Sequence, residues 1–400
     1  MLVRFLIKNV LSFKEETVLD MAAINAYKEH ESNIIDIGLK DKFLRVAAIY
    51  GANASGKSNL HMAMYYFQNI IVESLNSVND SSTTAIEANY NPFSFEGEKE
   101  DSEFEITVID KDFQYRYGFV YNDAYIVAEW LYRKNLKTNK TSIILERTKE
   151  TVEFGFSIRK ECEKYKTQIP EETLVLTFFN KLKLETGVFN SVYTSIMDIL
   201  VAPPDFGDNP NRLESWLPEF IDNDEEKKEL ISFLSAIDTG IRNIAYENRE
   251  NQIIIWTYHL GKDGAEYPLS LFFESQGTIK SIMLFIYAKM AISLGKALVV
   301  DELNIRLHPL LLKFIIDLFY EKDSMAQLIY TTHDTTLMDK KFFRRDQIWF
   351  VQKDEYGYSE LSALSDFKVR SDASFERDYL AGVYGGIPLL KEFSLKEANK

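Results

Sequence analysis

The stretch Gly51-Ala52-Asn53-Ala54-Ser55-Gly56-Lys57-Ser58 decides the fold of this chain, because it fits the phosphate-binding pattern G-x-x-x-x-G-K-[ST] at every fixed position. The apolar run 46–50 before it predicts a buried strand, and the apolar spacing over 59–71 after it predicts a helix. In that arrangement the loop N–H groups and the helix N-terminus point at a bound anion. Lys57 is expected to reach the β- and γ-phosphates, and the Ser58 hydroxyl to bind Mg²⁺. The alternative is a chance match in an ordinary glycine turn, which the flanking strand and helix argue against.

The overall composition is that of a folded, acidic protein. The chain has 400 residues, of which 46% are hydrophobic, and a net charge of −15. An acidic total argues against a surface built for nucleic acid, although it does not exclude a local basic patch. The single cysteine, Cys162, excludes an internal disulfide and fits a reducing compartment.

The sequence predicts no segment that crosses or enters a membrane. The N-terminal residues 1–5 lack the layout of a signal peptide. The most apolar helical stretch, 281–294, contains Lys289 and is too short to span a bilayer. We therefore expect a cytoplasmic protein.

The predicted elements indicate an α/β fold in three parts. Strands are predicted over 2–8, 16–21, 103–109, 115–121, 125–132, 252–259, 266–272, 297–300, 327–332 and 348–351. Helices are predicted from about Ser275 to Gly295 and over 309–320, and a polar loop over 76–84. Residues 140–245 are predicted to form a mainly helical insertion lobe, with Pro203-Pro204 and Asn209-Pro210 as breakers. The lobe separates an N-terminal ATPase lobe, 1–139, from a C-terminal one, 246–400.

Two adjacent carboxylates follow the predicted strand at 297–300. Asp301 is expected to hold Mg²⁺, directly or through water, and Glu302 to act as general base on the attacking water. Four apolar residues followed by Asp-Glu form a weak signal alone. As the partner of a phosphate-binding loop 243 residues earlier, the pair predicts ATP hydrolysis.

His333 ends a second buried strand, directly after Thr331-Thr332. A lone histidine is more often a satisfied core or surface residue than part of a site. Its position at a strand end, after Asp301-Glu302 in the chain, favours contact with the γ-phosphate and a role in sensing it.

Ser275 and Gly277 open a predicted helix 26 residues before Asp301. A serine and a glycine at a helix start fit a second anion site, because the N–H groups and the helix dipole favour negative charge there. A simple helix-capping serine with a glycine nearby explains the pattern equally well.

The order of these motifs resembles that of the ABC-type ATPase heads of SMC and RecF proteins. The nearer resemblance is to the AAA_15/AAA_21 group of defence-associated ATPases, which includes the abortive-infection AbiL and RloA type and the ATPase of the PARIS system. The segments that carry it are 5–14 with Leu11-Ser12-Phe13-Lys14, 51–59, 274–278, 301–310, 331–334, 344–350 and 379–388. Residues 140–245 are not covered. Ser-Gln-Gly-Thr stands where transporters have Ser-Gly-Gly, and Gln68 is not an obvious Q-loop residue.

The resemblance implies a P-loop ABC-type ATPase head that works as a homodimer or higher homo-oligomer. Two heads of this kind sandwich two molecules of ATP with Mg²⁺. The residues of 51–59, including Asn59, would hold one nucleotide, with Ser58 and Asp301 at the metal and Glu302 and His333 in catalysis. Ser275 and Gly277 would contact the γ-phosphate held by Lys57 of the other subunit. The resemblance also implies a sensor or regulator in bacterial anti-phage defence that controls a separate effector, such as a TOPRIM-type nuclease.

Two other functions are compatible with parts of the sequence. A DNA-repair ATPase like SMC or RecF would bind DNA directly, and the basic and aromatic cluster 340–345 could contact it, although a solvated loop explains the cluster as well. A fused ATPase-nuclease is disfavoured, because only 67 residues follow His333. The run Asp222-Asn223-Asp224 also lies at a predicted helix start rather than at a strand end.

Overall fold

The computed structural model describes residues 1–75, 83–97, 99–182, 184–206, 211–237, 239–249, 252–370 and 373–388. Of the predicted loop at 76–84 only the last two residues lie inside these ranges, and the Asn209-Pro210 breaker lies outside them.

The first layer is an antiparallel sheet of seven strands in the order β10-β9-β8-β7-β6-β1-β2. Its strands are β1 (Leu2–Lys8), β2 (Thr17–Asp20), β6 (Ser102–Asp110), β7 (Phe113–Tyr121), β8 (Ile126–Asn135), β9 (Thr141–Thr148) and β10 (Val152–Phe154). The inward face of this sheet is strongly aromatic: Phe104 stacks on Tyr121 at 5.8 Å between ring centroids and on Phe5 at 6.1 Å.

The second layer is a mainly parallel sheet in the order β11-β15-β16-β5-β17-β18. Its strands are β5 (Val46–Tyr50), β11 (Leu200–Val201), β15 (Ala297–Val300), β16 (Gln327–Thr332), β17 (Ile348–Lys353) and the antiparallel β18 (Ser359–Ala363). Because β15, β16 and β5 are parallel neighbours, their carboxyl ends meet at one edge of the sheet. That edge is where ligands bind in open α/β sheets.

Smaller strands and the helices complete the fold. The strands are β3 (Ile34–Ile35), β4 (Phe43–Leu44), β12 (Ile241–Arg249), β13 (Gln252–Leu260) and β14 (Glu266–Ser270). The helices are α1 (Lys57–Glu73), α2 (Ala85–Ala88), α3 (Arg159–Cys162), α4 (Val175–Leu182), α5 (Val188–Met197), α6 (Asn211–Asp222), α7 (Asp224–Ala236), α8 (Gln276–Leu294), α9 (Pro309–Leu318) and α10 (Phe375–Leu380).

Strand β5 is the centre of the molecule, because its side chains enter two hydrophobic cores. Ala47 and Ile49 point into the core that α1 fills between the two sheets. Val46, Ala48 and Tyr50 point to the opposite face, where α8 packs. All five residues are buried, as expected for a strand covered on both faces. The predicted α/β fold around the phosphate-binding loop is confirmed.

The region predicted to be mainly helical begins later than expected. Strands β9 and β10 extend the seven-stranded sheet through residue 154, and the helices occupy 159–236. Strand β12 then begins at Ile241 and pairs with β13. The start predicted at residue 140 is therefore wrong, and the division into three domains stays a prediction.

One described helix, α8, is long and apolar enough to cross a membrane by length and composition. It is longer than the apolar stretch predicted from the sequence. Half of its most apolar window is buried inside the protein, and Ile279, Ile282 and Met283 have no exposed surface. Its apolar composition is therefore explained by its place in the core.

Candidate functional site

The loop between β5 and α1 is shaped by close contacts at its two glycines, Gly51 and Gly56. A Cβ on Gly51 would come 2.5 Å from the Val351 carbonyl oxygen, and Gly56 has a φ of +115°. A Cβ on Gly56 would lie 2.9 Å from the Ser12 hydroxyl and closer still to that of Ser359. Both positions therefore require glycine.

Lys57 is the first residue of α1 and its side chain is buried. Its ammonium donates to the carbonyl oxygens of Gly51 at 2.8 Å and Ala52 at 2.9 Å, so it lies inside the loop. Burial lowers the pKa of Lys57, and the nearby carboxylates of Glu302 and Asp301 oppose this shift. The structure thus brings the lysine and both predicted carboxylates within electrostatic reach of one another.

A cluster of hydroxyl groups is hydrogen-bonded to the backbone of the loop. Ser359, the first residue of β18, has its Oγ 2.7 Å from the Ser55 carbonyl oxygen and 2.8 Å from the Ser12 Oγ. The Asn59 amide also donates to the Ser12 Oγ, at 2.7 Å. Asn59 therefore helps to hold the hydroxyl cluster that supports the loop. Sequence reasoning assigned no role to Ser12 or Ser359, because they are 347 residues apart in the chain.

Asp301 and Glu302 follow β15 and share one hydrogen-bonding partner. The Thr331 hydroxyl on the neighbouring strand β16 donates to the Asp301 carboxylate and accepts the Glu302 backbone N–H at 2.7 Å. Glu302 has a φ of +47°, an uncommon conformation for this residue. The Lys280 ammonium donates to the Glu302 carbonyl at 2.8 Å. Thr331 thus holds the Asp301 carboxylate and the Glu302 backbone, a role that the sequence did not indicate.

His333 is exposed at the end of β16. Its Nε2 lies 3.4 Å from the Asn304 side-chain amide, whose oxygen accepts a hydrogen bond from Thr332 at 2.8 Å. This places the imidazole beside the loop that follows Asp301-Glu302, and its predicted sensing role stays a prediction.

Eight of the predicted residues line one cleft of about 480 Å³ at this edge of the sheet, whereas Gly51, Ala52, Ser55 and Asp301 are not among its lining residues. Its lining residues are Asn53, Ala54, Gly56, Lys57, Ser58, Asn59, Glu302, His333 and Lys353. The cleft brings the loop, the expected general base and the histidine together. Lys353, from β17, was not predicted. Lys353 comes close to the loop because β17 pairs with β5, and the sequence alone does not reveal this pairing.

Ser275 and Gly277 do not line this cleft within the described part of the chain. The Ser275 Oγ accepts the Thr278 N–H at 3.0 Å and so caps α8. A Cβ on Gly277 would lie 2.7 Å from the Arg306 carbonyl oxygen, so the helix start packs against the loop after Glu302. The capping role is present, and Ser275 remains exposed.

Two other predicted features have structural roles. Gln68 lies on α1 and donates to the carbonyl oxygens of Ile196 at 2.9 Å and Ile199 at 2.8 Å. In the basic cluster 340–345, Arg344 is only 1% exposed and pairs with Asp346 at 2.8 Å. Phe343 is equally buried. The cluster is therefore not a continuous surface patch.

The donor set fits Mg²⁺ held together with a nucleotide. Ser58, the second residue of α1, is exposed and offers a hydroxyl, and the Asp301 carboxylate supplies a hard oxygen ligand. Among the described residues no group of three or more His, Cys, Asp or Glu side chains could hold a metal by itself. Mg²⁺ is usually bound by one or two carboxylates with phosphates and water, so these residues would hold the ion only with the nucleotide present.

The fold and this cleft define a P-loop ATPase: a loop-to-helix phosphate site with strand-end carboxylates on the neighbouring parallel strands. A family model places the chain more narrowly. The AAA_21 family, described as "AAA domain, putative AbiEii toxin, Type IV TA system", matches residues 46–339, from the first residue of β5 to just beyond His333. The chain belongs to this family. The predicted AAA_15-like and PARIS-like placement stays a prediction.

Solved structures of SMC head domains are also similar to this chain. A crystal structure of the SmcHead bound to the C-winged helix domain of ScpA has 14% identity and a TM-score of 0.43, covering 94% of this chain and 99% of that one. The SMC head domain from Thermotoga maritima has 12% identity and a TM-score of 0.38, covering 90% and 98%. No curated protein matches the chain.

Proposed function

We propose that this chain binds and hydrolyses ATP with Mg²⁺ as a sandwich dimer in the cytoplasm. In this proposal it is the sensor and regulator of an anti-phage, abortive-infection defence system. The observation that carries the proposal is the cleft in which Lys57, Glu302 and His333 meet around the phosphate-binding loop. Membership of an AAA family supports nucleotide use.

Each residue has a distinct task in the proposed hydrolysis. The N–H groups of 51–56 and the start of α1 hold the phosphates, and Lys57 exchanges its loop carbonyl partners for phosphate oxygens. Ser58 and Asp301 hold Mg²⁺, which neutralises charge on the phosphates. Glu302 orients and deprotonates the attacking water, and His333 contacts the terminal phosphate.

The sandwich arrangement is supported by the position of the second phosphate motif. Ser275 is exposed and Gly277 is partly buried at the start of α8, and both lie outside the cleft of their own chain. Phe272 and Phe273, directly before them, expose 73% and 72% of their surface. An exposed apolar pair is unusual in a surface that stays in water, so we place the partner subunit's cleft against this end of α8.

The family description, which names a putative toxin of a type IV toxin–antitoxin system, is compatible with a role in defence. We propose that the nucleotide state controls a separate effector, such as a TOPRIM-type nuclease. The helices of 159–236 are the candidate contact region. They line a cavity of about 760 Å³ that also receives Gln68 from α1 and Met290 from α8. An effector segment seated there would touch both helices whose N-termini carry phosphate motifs.

The alternative is an SMC- or RecF-like repair ATPase that binds DNA directly. Burial of Arg344 and Phe343 takes two of the six residues out of the surface cluster that favoured it. The net charge of −15 also opposes binding to a polyanion. Salt-sensitive DNA binding and DNA-stimulated hydrolysis by the purified chain, without any partner, would favour this alternative.

The nucleotide site is tested by two substitutions. Lys57→Ala should abolish ATP binding, because it removes the ammonium that is expected to bind the phosphates. Glu302→Gln should bind ATP but hydrolyse it roughly 10²–10⁴-fold more slowly, the usual share of a general base. Unchanged ATP affinity in the first variant, or normal turnover in the second, would refute these roles.

The shared site is tested by mixing defective subunits. A Lys57→Ala chain and a Ser275→Arg chain each lack one half of the proposed site, so a mixed dimer retains one intact site. Mixing should restore part of the hydrolysis that either chain alone has lost. Failure to restore it, with mixed dimers demonstrated by differential tagging, would mean that each chain holds a complete site.

The two-component role is tested with the protein encoded next to this chain. Nucleic-acid cleavage is assayed for each protein alone and for the mixture, with and without ATP. We expect ATP-dependent control only in the mixture, and Met290→Glu should remove that control while leaving hydrolysis by the isolated chain intact. Robust cleavage by the pure chain alone would overturn the proposal.

A further inference from the structure

Lys353 stands beside the phosphate-binding loop because of strand register. Strand β17 pairs in parallel with β5 so that Ile348, Trp349 and Phe350 lie opposite Ala48, Ile49 and Tyr50. The offset is constant, so continuing the register sets Lys353 level with Asn53 in the middle of the loop. The approach of the Val351 carbonyl to Gly51 shows that the two segments remain adjacent beyond the paired residues.

The surroundings of Lys353 leave its charge available. Its side chain is half-buried and lines the cleft together with Lys57, Glu302 and His333. No ion pair of Lys353 occurs within the described ranges, whereas the other lysine of the cleft, Lys57, is bonded to loop carbonyls. An unpaired cation in a cleft of an acidic protein creates a local positive potential for a polyanion.

The backbone around Lys353 is held by the same contacts that support the loop. Lys353 pairs with Ser359 across the β17–β18 hairpin. Ser359 bonds the Ser55 carbonyl and the Ser12 hydroxyl. Lys353 therefore lies on a hairpin that is hydrogen-bonded to the phosphate-binding loop. Because this backbone is already held in place, less conformational entropy is lost when the ammonium binds a ligand.

We propose that Lys353 is a second phosphate-contacting cation, which reaches the terminal phosphate of the bound nucleotide. Glu302 and His333, which we assign to that phosphate, line the same cleft and follow β15 and β16, on the other side of β5 from β17, so Lys353 would approach the phosphate from the opposite side. Lys353 thereby distinguishes nucleoside triphosphates from diphosphates. This inference rests on the proposed nucleotide binding.

The experiment compares ATP and ADP binding to the full chain by isothermal titration calorimetry with Mg²⁺ present. Lys353→Met removes the charge and keeps most of the aliphatic length. We expect its ATP dissociation constant to rise roughly tenfold, the size of one charge-assisted contact, with less than about a twofold change for ADP. Lys353→Arg should recover most of the ATP affinity. Lys368→Met makes the same charge change at an exposed position outside the cleft and should bind both nucleotides normally.

The outcomes separate this inference from the proposal on which it rests. Failure of the unmodified chain to bind ATP would overturn both. Normal ATP binding by the unmodified chain with equal affinity in Lys353→Met would overturn the role of Lys353 alone. Equal losses for ATP and ADP would also contradict it, because contact would then lie at an inner phosphate. A higher salt sensitivity of ATP binding in the unmodified chain than in Lys353→Met would support it.

Discussion

Replacing Thr331 with valine should release the Asp301 carboxylate and the Glu302 backbone from the neighbouring strand that positions them. Thr331 is 3% exposed, and its hydroxyl is bonded both to the Asp301 carboxylate and to the Glu302 N–H. Valine keeps the branched shape of threonine, so the packing of β16 is retained. The substitution therefore removes two hydrogen bonds without opening a cavity.

The magnitude follows from the two groups left without a partner. A hydrogen bond to a charged group contributes about 1.5–3 kcal/mol, and an unsatisfied buried N–H costs about 1–3 kcal/mol. Asp301 is only half-buried, so water can replace part of its lost bond. We expect the free energy of unfolding to fall by about 2–4 kcal/mol. If the carboxylate also loses its orientation, kcat should fall roughly 10–100-fold, which corresponds to about 1.4–2.7 kcal/mol of barrier.

The assay is ATP hydrolysis as a function of Mg²⁺ concentration, together with urea unfolding. Thr331→Val should need more Mg²⁺ for half-maximal rate, because Asp301 is its expected ligand. The matched control is Thr177→Val, which removes a fully buried hydroxyl that donates to the Ile71 carbonyl at 2.6 Å, outside the cleft. The control should lose about 1 kcal/mol of stability and keep its Mg²⁺ requirement. Equal Mg²⁺ requirements in both variants would refute the positioning role of Thr331.

Three further predictions concern the loop, the antiparallel sheet and the thiol. Gly56→Ala should abolish nucleotide binding and lower the free energy of unfolding in urea by more than about 2 kcal/mol, because a Cβ at φ +115° meets the hydroxyls of Ser12 and Ser359. The control is Gly97→Ala, which has open space around it and should change the free energy of unfolding by less than about 0.5 kcal/mol. Glu129→Gln should lower the free energy of unfolding by about 1–3 kcal/mol and leave ATP affinity intact. The two oxygens of the buried carboxylate accept the N–H groups of Val175 at 2.8 Å and Leu176 at 3.0 Å, and the amide nitrogen that replaces one oxygen cannot accept an N–H group. Cys162 should resist a disulfide reagent at pH 8 until the protein unfolds, because burial raises its pKa to about 12 and the thiolate fraction is then only about 10⁻⁴; rapid labelling of folded protein would contradict its burial.

The sequence predicted the parts of the cleft that are contiguous in the chain. The strand before Gly51, the helix after it, the Asp301-Glu302 pair and the capping position of Ser275 all follow from patterns a few residues long. It did not predict Thr331, Ser359 or Lys353, because their roles arise from pairing between strands far apart in sequence. Periodicity reports which face of a strand is buried but not which strand lies beside it.

The same distinction explains the strands that were missed. Strand β9 has its three apolar residues, 143–145, in one run between polar residues, and β12 carries Arg242, Asn243, Glu247 and Arg249. Neither pattern identifies a strand by itself. Each strand forms because a partner of clearer pattern pairs along its length, β8 with β9 and β13 with β12. Tertiary pairing overrides weak local preference in both cases.

The C-terminal segment shows how far the cleft depends on such distant contacts. A Cβ on Gly386 would lie 3.7 Å from the Gly51 Cα, so the two glycines are neighbours, and the Tyr379 hydroxyl donates to the Gly386 carbonyl at 2.9 Å. Thr335, two residues after His333, donates to Glu376 on α10 at 2.9 Å. One short segment therefore contacts both the start of the phosphate-binding loop and the loop that carries His333. The contact with Thr335 joins residues about 40 positions apart, and the contact with Gly51 joins residues more than 300 positions apart. Because the segment 376–386 touches both loops, a shift of either loop must be accommodated by this segment.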